Sequence, residues 1–98
     1  MEGIYVISTI DQANENIYKI IKYTGPQIRL LKKYGTYLIN PIIYYCYPCS
    51  NSLTIEKMFK DEFYKYQINY DNGNQPEWVC LELFEIIKYL NNNLGQLP

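Results

Sequence analysis

Arg29 is the only arginine among the nine cations of this 98-residue chain; the other eight are lysines. A planar, permanently charged guanidinium can hold a phosphate through two parallel hydrogen bonds, which an ammonium cannot do. Glu56 is followed by Phe59 and Phe63, at three and seven residues, so a helix there sets the carboxylate on the rim of an apolar stripe, partly desolvated. Tyr5 and Tyr18 stand on two separate apolar segments. A phenol titrates near ~10, so it acts as a base only where nearby cations lower that value. Cys46-Tyr47-Pro48-Cys49 has the CxxC spacing of a thiol redox pair. With Cys80 the chain offers three thiols and no histidine, short of a four-ligand structural zinc site and without the usual general base.

The elements that must carry these groups follow from the apolar pattern. Residues 3–10 are almost continuously apolar and β-branched, which suits a strand buried on both faces. Residues 11–16 are polar and turn-prone, and 17–22 resume a strand, so a hairpin with a longish loop is expected. Thr24 and Gln27 have the spacing of a reciprocal cap, Pro26 fits a first helical turn, and Gly35 is a natural stop. Ile28, Leu31 and Tyr34 mark the expected buried stripe of that helix. Residues 41–48 form a strand bracketed by prolines. Ser50–Ser52 offers a cap for a second helix, striped by Ile55, Phe59, Phe63 and Tyr66. After a loop over 69–76, Leu83, Ile86, Ile87, Leu90 and Leu94 define a last helix. This order predicts a single α/β domain over residues 1–98. It is a small sandwich: a three-stranded antiparallel sheet, made of the N-terminal hairpin plus one strand, flanked by about three helices.

Charge is unevenly spread. The net value is −1, but residues 16–70 carry Lys19, Lys22, Arg29, Lys32, Lys33, Lys57, Lys60 and Lys65 against only Glu56, Asp61 and Glu62. A basic middle between acidic ends can face phosphates. No apolar run approaches the ~18 residues of a membrane span, so no membrane partner is expected. Three unmatched cysteines fit an intracellular, reducing compartment such as the cytoplasm or nucleus of a host cell. Tyrosine supplies 12 of 98 residues. Its codons are AT-rich, as are those of isoleucine and asparagine, so a tyrosine gains meaning only from its position.

Taken together, Gly3-Ile4-Tyr5, Tyr18-Lys19-Ile20-Ile21 with Lys22, the helical Arg29, Ile55-Glu56-Lys57-Met58-Phe59 and the late Pro76-Glu77-Trp78 resemble the GIY-YIG nuclease superfamily in its compact viral and phage branch. The resemblance spans roughly residues 3–90, with Ile21 standing where that family has glycine. It implies metal-dependent hydrolysis of DNA phosphodiesters, with Glu56 holding a single Mg²⁺ (or Mn²⁺). Tyr5 would accept a proton from the attacking water and Arg29 would neutralise charge on the phosphate. Tyr18 and Lys22 would position water and phosphate, and Lys33, four residues beyond the arginine, would join Lys22 in phosphate binding. The expected partner is DNA, with a second copy of the chain or another protein supplying specificity. Two alternatives stand beside this: a module of the same frame, catalytically inactive, that binds nucleic acid or a protein, and a thiol redox protein using Cys46 and Cys49.

Overall fold

The computed structural model describes residues 2–36, 38–68 and 78–94. Strand β1 (Glu2–Ser8) and strand β2 (Ile17–Thr24) pair antiparallel with Tyr5 opposite Ile21 and Glu2 opposite Thr24. Their connection holds a four-residue helix α1 (Ile10–Ala13). Helix α2 (Gln27–Tyr34) leads to strand β3 (Ile42–Pro48), which lies antiparallel on the other side of β1. Helix α3 (Ser52–Glu62) runs through a 3₁₀ turn (Tyr64–Tyr66) into the short β4 (Gln67–Ile68). Strand β5 (Trp78–Cys80) and helix α4 (Leu83–Tyr89) follow, and α4 passes into a π turn at Leu90–Leu94.

The sheet is therefore five-stranded, ordered β3-β1-β2-β5-β4, and its described pairings are all antiparallel. Four α-helices accompany it. The expectation of three strands and about three helices is corrected on both counts. Strands of two and three residues are too short to show the alternation that marks a strand. The additional helix is a single turn in a segment polar enough to read as a loop. Thr9 caps that turn, its Oγ1 accepting from Gln12 N–H at 3.3 Å while also bonding the Gln12 side chain at 3.1 Å. The side-chain cap thus belongs to Thr9, without the return bond to its backbone N–H. Thr24 sits in β2, and α2 starts behind Pro26 with no side-chain cap.

Two cores sandwich the sheet. Ile4, Val6, Tyr18, Ile20 and Val79 pack with Ile55 and Phe59 of α3 and with Ile86 and Leu90 at the C-terminal helix. Tyr5, Ile7 and Ile21 pack with Leu30 and Tyr34 of α2. Consecutive strand residues point to opposite faces, so β1 feeds both cores and is buried along its length, as its apolar run predicts. On α2 the buried positions are Leu30 and Tyr34, whereas Ile28 is exposed; the helix is rotated from the stripe expected of Ile28 and Leu31. On α3 the stripe ends at Phe63, and Tyr66, in the 3₁₀ turn beyond the helix, is half exposed with its ring edge-on to Phe63 at 6.1 Å. Gly3 is fixed by proximity: a Cβ there would lie 2.6 Å from the Tyr47 carbonyl oxygen and 3.1 Å from Pro48 Cα.

Candidate functional site

Glu56 marks the candidate site. Its neighbour Ile55 is buried in the core between α3 and the sheet, and its side chain, 14% exposed, reaches the end of β2. There Oε2 accepts the Lys22 N–H at 3.0 Å, and Oε1 lies 3.8 Å from Lys60 Nζ, one helical turn on. The described β5 pairs with β2 only from Ile17 to Lys19, so at Lys22 the carboxylate receives an amide that a neighbouring strand could otherwise take. A second carboxylate meets α3 one turn earlier: Glu2 of β1 accepts both the N–H and the hydroxyl of Ser52. These hydrogen bonds hold the Glu2 carboxyl below the ordinary carboxylate range. The cap expected from Ser50–Ser52 is thus delivered from β1, not from within the helix.

The phenols are placed differently. Tyr5 is fully buried on the α2 side, its ring edge-on to Tyr23 at 5.9 Å, and its hydroxyl lacks a well-formed hydrogen bond, with the Cys46 thiol as the polar group beside it. Burial pushes its pKa up, and the neighbouring Cys46 thiol adds to the effect. Tyr18 is buried on the α3 side, edge-on to Tyr44 at 5.5 Å, and burial followed by Tyr44 raises its pKa too. The two hydroxyl-bearing rings belong to opposite faces of the sheet. Arg29 lies exposed in the first turn of α2, on the Tyr5 side. Lys22 is exposed and stands opposite Ile4, on the α3 side with Glu56. Lys33 is exposed, its Nζ 5.5 Å from the centre of the Tyr34 ring. The structure brings together Glu56, Lys22 and Lys60, and it leaves Tyr5 and Arg29 across the sheet from them.

Other sequence features resolve in the same way. Cys46 packs into the α2-side core and Cys49 against the α3-side core, both as free thiols. Burial pushes the Cys49 thiol up, the opposite direction from a redox nucleophile. Among the described residues no three His, Cys, Asp or Glu side chains gather to hold a metal. No helix among them is long and apolar enough to cross a membrane. The loop expected over 69–76, with Pro76, and Glu77 lie outside the described residues. Sequence reasoning missed Lys19, which is buried with its Nζ 5.1 Å from the Trp78 ring centre and 5.5 Å from that of Tyr34. Its place in an apolar strand opposite a tryptophan-bearing segment is the signal that could have found it.

The architecture is an antiparallel sheet between α2 on one face and α3 with α4 on the other, with an acid on α3 tied to the second strand. The chain belongs to the T5orf172 domain family, which it matches over residues 2–93. This corrects the resemblance to GIY-YIG nucleases, which is a different family. The tripeptide that carried that resemblance has packing reasons of its own: Gly3 for the approach of β3, Ile4 and Tyr5 for the two cores. The chain is also similar to "Uncharacterized protein R10" of Acanthamoeba polyphaga mimivirus, at 33% identity over 89 residues. That match covers 88% of this chain but only 24% of the viral protein. No solved structure matches it.

Proposed function

We propose that this domain acts on nucleic acid, gripping the phosphate backbone near the end of β2 and cleaving it where Glu56 binds a divalent cation. The observation that carries the proposal is the setting of Glu56, a half-buried carboxylate whose one oxygen is fixed by the Lys22 amide. Cationic side chains are exposed on both faces: Lys22 at the end of β2 on the Glu56 side, and Arg29, Lys32 and Lys33 on α2 across the sheet. Helix α2 contains no acid, so its outer surface attracts phosphate. A single carboxylate suffices for Mg²⁺, which keeps most of its waters; Glu56 fits that demand, with Lys60 as the counter-charge that the ion would displace. The bound ion would polarise the phosphodiester and activate water for its hydrolysis. Lys22, on the Glu56 side of the sheet, neutralises the phosphate there, while Arg29 holds the backbone from the α2 side.

A second reading, binding without cleavage, is favoured by the phenols. Both are buried on opposite faces and both are pushed away from the phenolate form, so neither is a ready base. One experiment separates the readings. Supercoiled plasmid is incubated with the protein in Mg²⁺ or Mn²⁺, and nicking is compared with that by Glu56→Gln and Arg29→Ala. Loss of an electrostatic stabiliser of this kind slows cleavage on the order of 10²–10³-fold. Nicking indifferent to Glu56→Gln overturns the hydrolytic site. Binding that weakens with salt and yields no product supports the second reading.

A further inference from the structure

We propose that the exposed face of helix α2 is the domain's holding surface for duplex nucleic acid, gripped through its phosphates without a divalent cation, so that affinity resides across the sheet from Glu56. The inference rests on the nucleic-acid reading and deepens it. Between Glu15 and Glu56 the chain has no Asp or Glu, while Lys19, Lys22, Arg29, Lys32 and Lys33 all fall there. The last three stand on α2 at spacings of three and four residues, which gathers them on one side of the helix. All three are exposed, and Leu30 and Tyr34 take the buried side. Among the described residues no carboxylate pairs with any of the three. The helix starts behind Pro26 with no side-chain cap and no acid in its first turn, so the positive end of its dipole adds to the same field.

The type of nucleic acid follows from what else this face offers. Its exposed residues are Gln27, Ile28, Arg29, Lys32 and Lys33. None carries an aromatic ring, so an unpaired base finds nothing to stack on. What the face can meet is a run of phosphates. A purely electrostatic surface favours the ligand of higher charge density, and a duplex carries one charge per about 1.7 Å of its axis against about 3.4 Å for one of its strands. Arg29 and Lys33 are four residues apart, about 6 Å at the rise of a helix, which spans neighbouring phosphates of one strand. The Glu56 side differs in kind. Lys22, Lys57 and Lys60 are offset there by Glu56, Asp61 and Glu62, so that side gains little from phosphate before a cation binds. Helix α2 packs on the Tyr5 and Ile21 face of the sheet and α3 on the Ile4 and Ile20 face, which keeps the two sets of charges apart.

The test uses a fluorescently labelled blunt duplex and a labelled single strand of equal length, with binding followed by anisotropy over a series of salt concentrations in the presence of EDTA. The wild type is expected to bind the duplex more tightly than the single strand. Reversing two charges on α2 (Lys32→Glu with Lys33→Glu) is expected to weaken duplex binding by about tenfold or more and to lower the slope of log K against log salt by about 2, at about 0.9 per phosphate. Reversing two charges on α3 and the turn after it (Lys57→Glu with Lys65→Glu) is expected to change it by no more than about twofold, because salt confines each charge to its own surroundings. All four positions are exposed, and circular dichroism and thermal melting check that both variants fold. On the wild type, amide shifts caused by the duplex in nuclear magnetic resonance spectra are expected to centre on Gln27–Tyr34. Duplex affinity unchanged in the α2 variant, an equal loss in the α3 variant, tighter binding of the single strand, or shifts centred on α3 each overturn the holding surface while the nucleic-acid reading stands. A wild-type protein that binds neither probe overturns both.

Discussion

Tyr5→Phe separates a structural tyrosine from a catalytic one. The Tyr5 side chain is fully buried between β1, β2, β3 and α2, and its hydroxyl oxygen makes no well-formed hydrogen bond, only the Cys46 thiol lying beside it. Leaving such a group unsatisfied costs about 1–3 kcal/mol, of which the neighbouring Cys46 thiol, a weak hydrogen-bonding partner, recovers part. Removing the oxygen while keeping the ring retains the packing on Ile21, Leu30 and Tyr34 and the edge contact with Tyr23. The space left is smaller than a methyl group, so the cavity penalty stays below about 1 kcal/mol. The net expectation is a variant of equal or greater stability, by up to about 1 kcal/mol, or a rise of about 4–8 °C in melting temperature for a domain of this size. Urea titration with an unchanged slope would report the same gain. Loss of more than about 1 kcal/mol would refute the reasoning, because it would mean that the hydroxyl is satisfied in the native state. The nicking assay on the same variant adds the functional half. A stable Tyr5→Phe protein that no longer nicks plasmid makes the phenol catalytic despite its burial; one that nicks normally makes it a core residue.

Two further outcomes follow from the same geometry. Gly3→Ala places a methyl 2.6 Å from the Tyr47 carbonyl oxygen and 3.1 Å from Pro48 Cα, both backbone atoms that cannot rotate away, so β1 and β3 must separate at a cost of about 3 kcal/mol, read by chemical denaturation. The Glu2 carboxyl has its pKa lowered by the Ser52 bonds, so its contribution is complete above the ordinary carboxylate pKa and is lost as pH falls through the lowered value; melting temperature of the wild type should drop over that acid range, and Glu2→Gln should drop less steeply there.

The chain's local chemistry settled much of this protein in advance. An apolar, β-branched run such as Ile4–Ile7 has no face to spare for water, so a strand buried on both sides follows from its composition. The hairpin with residues 17–22 and the proline-bounded strand ending at Pro48 follow from similar local reasons, as does the amphipathic helix that presents Glu56. Tertiary structure decided the rest, because it depends on partners distant in sequence. The pairs Tyr18 with Val79 and Gln67 with Val79 gain their hydrogen bonds only when segments far apart meet, so no short-range pattern announces β4 or β5. Ile28 lies outside and Leu30 inside because the sheet, not the helix, fixes the rotation of α2. The face on which each site residue falls was decided in the same way. Tyr5 and Tyr18 are separated by an odd number of positions in the hairpin register, since Tyr5 pairs with Ile21, and the pleat then sends their rings to opposite sides of the sheet.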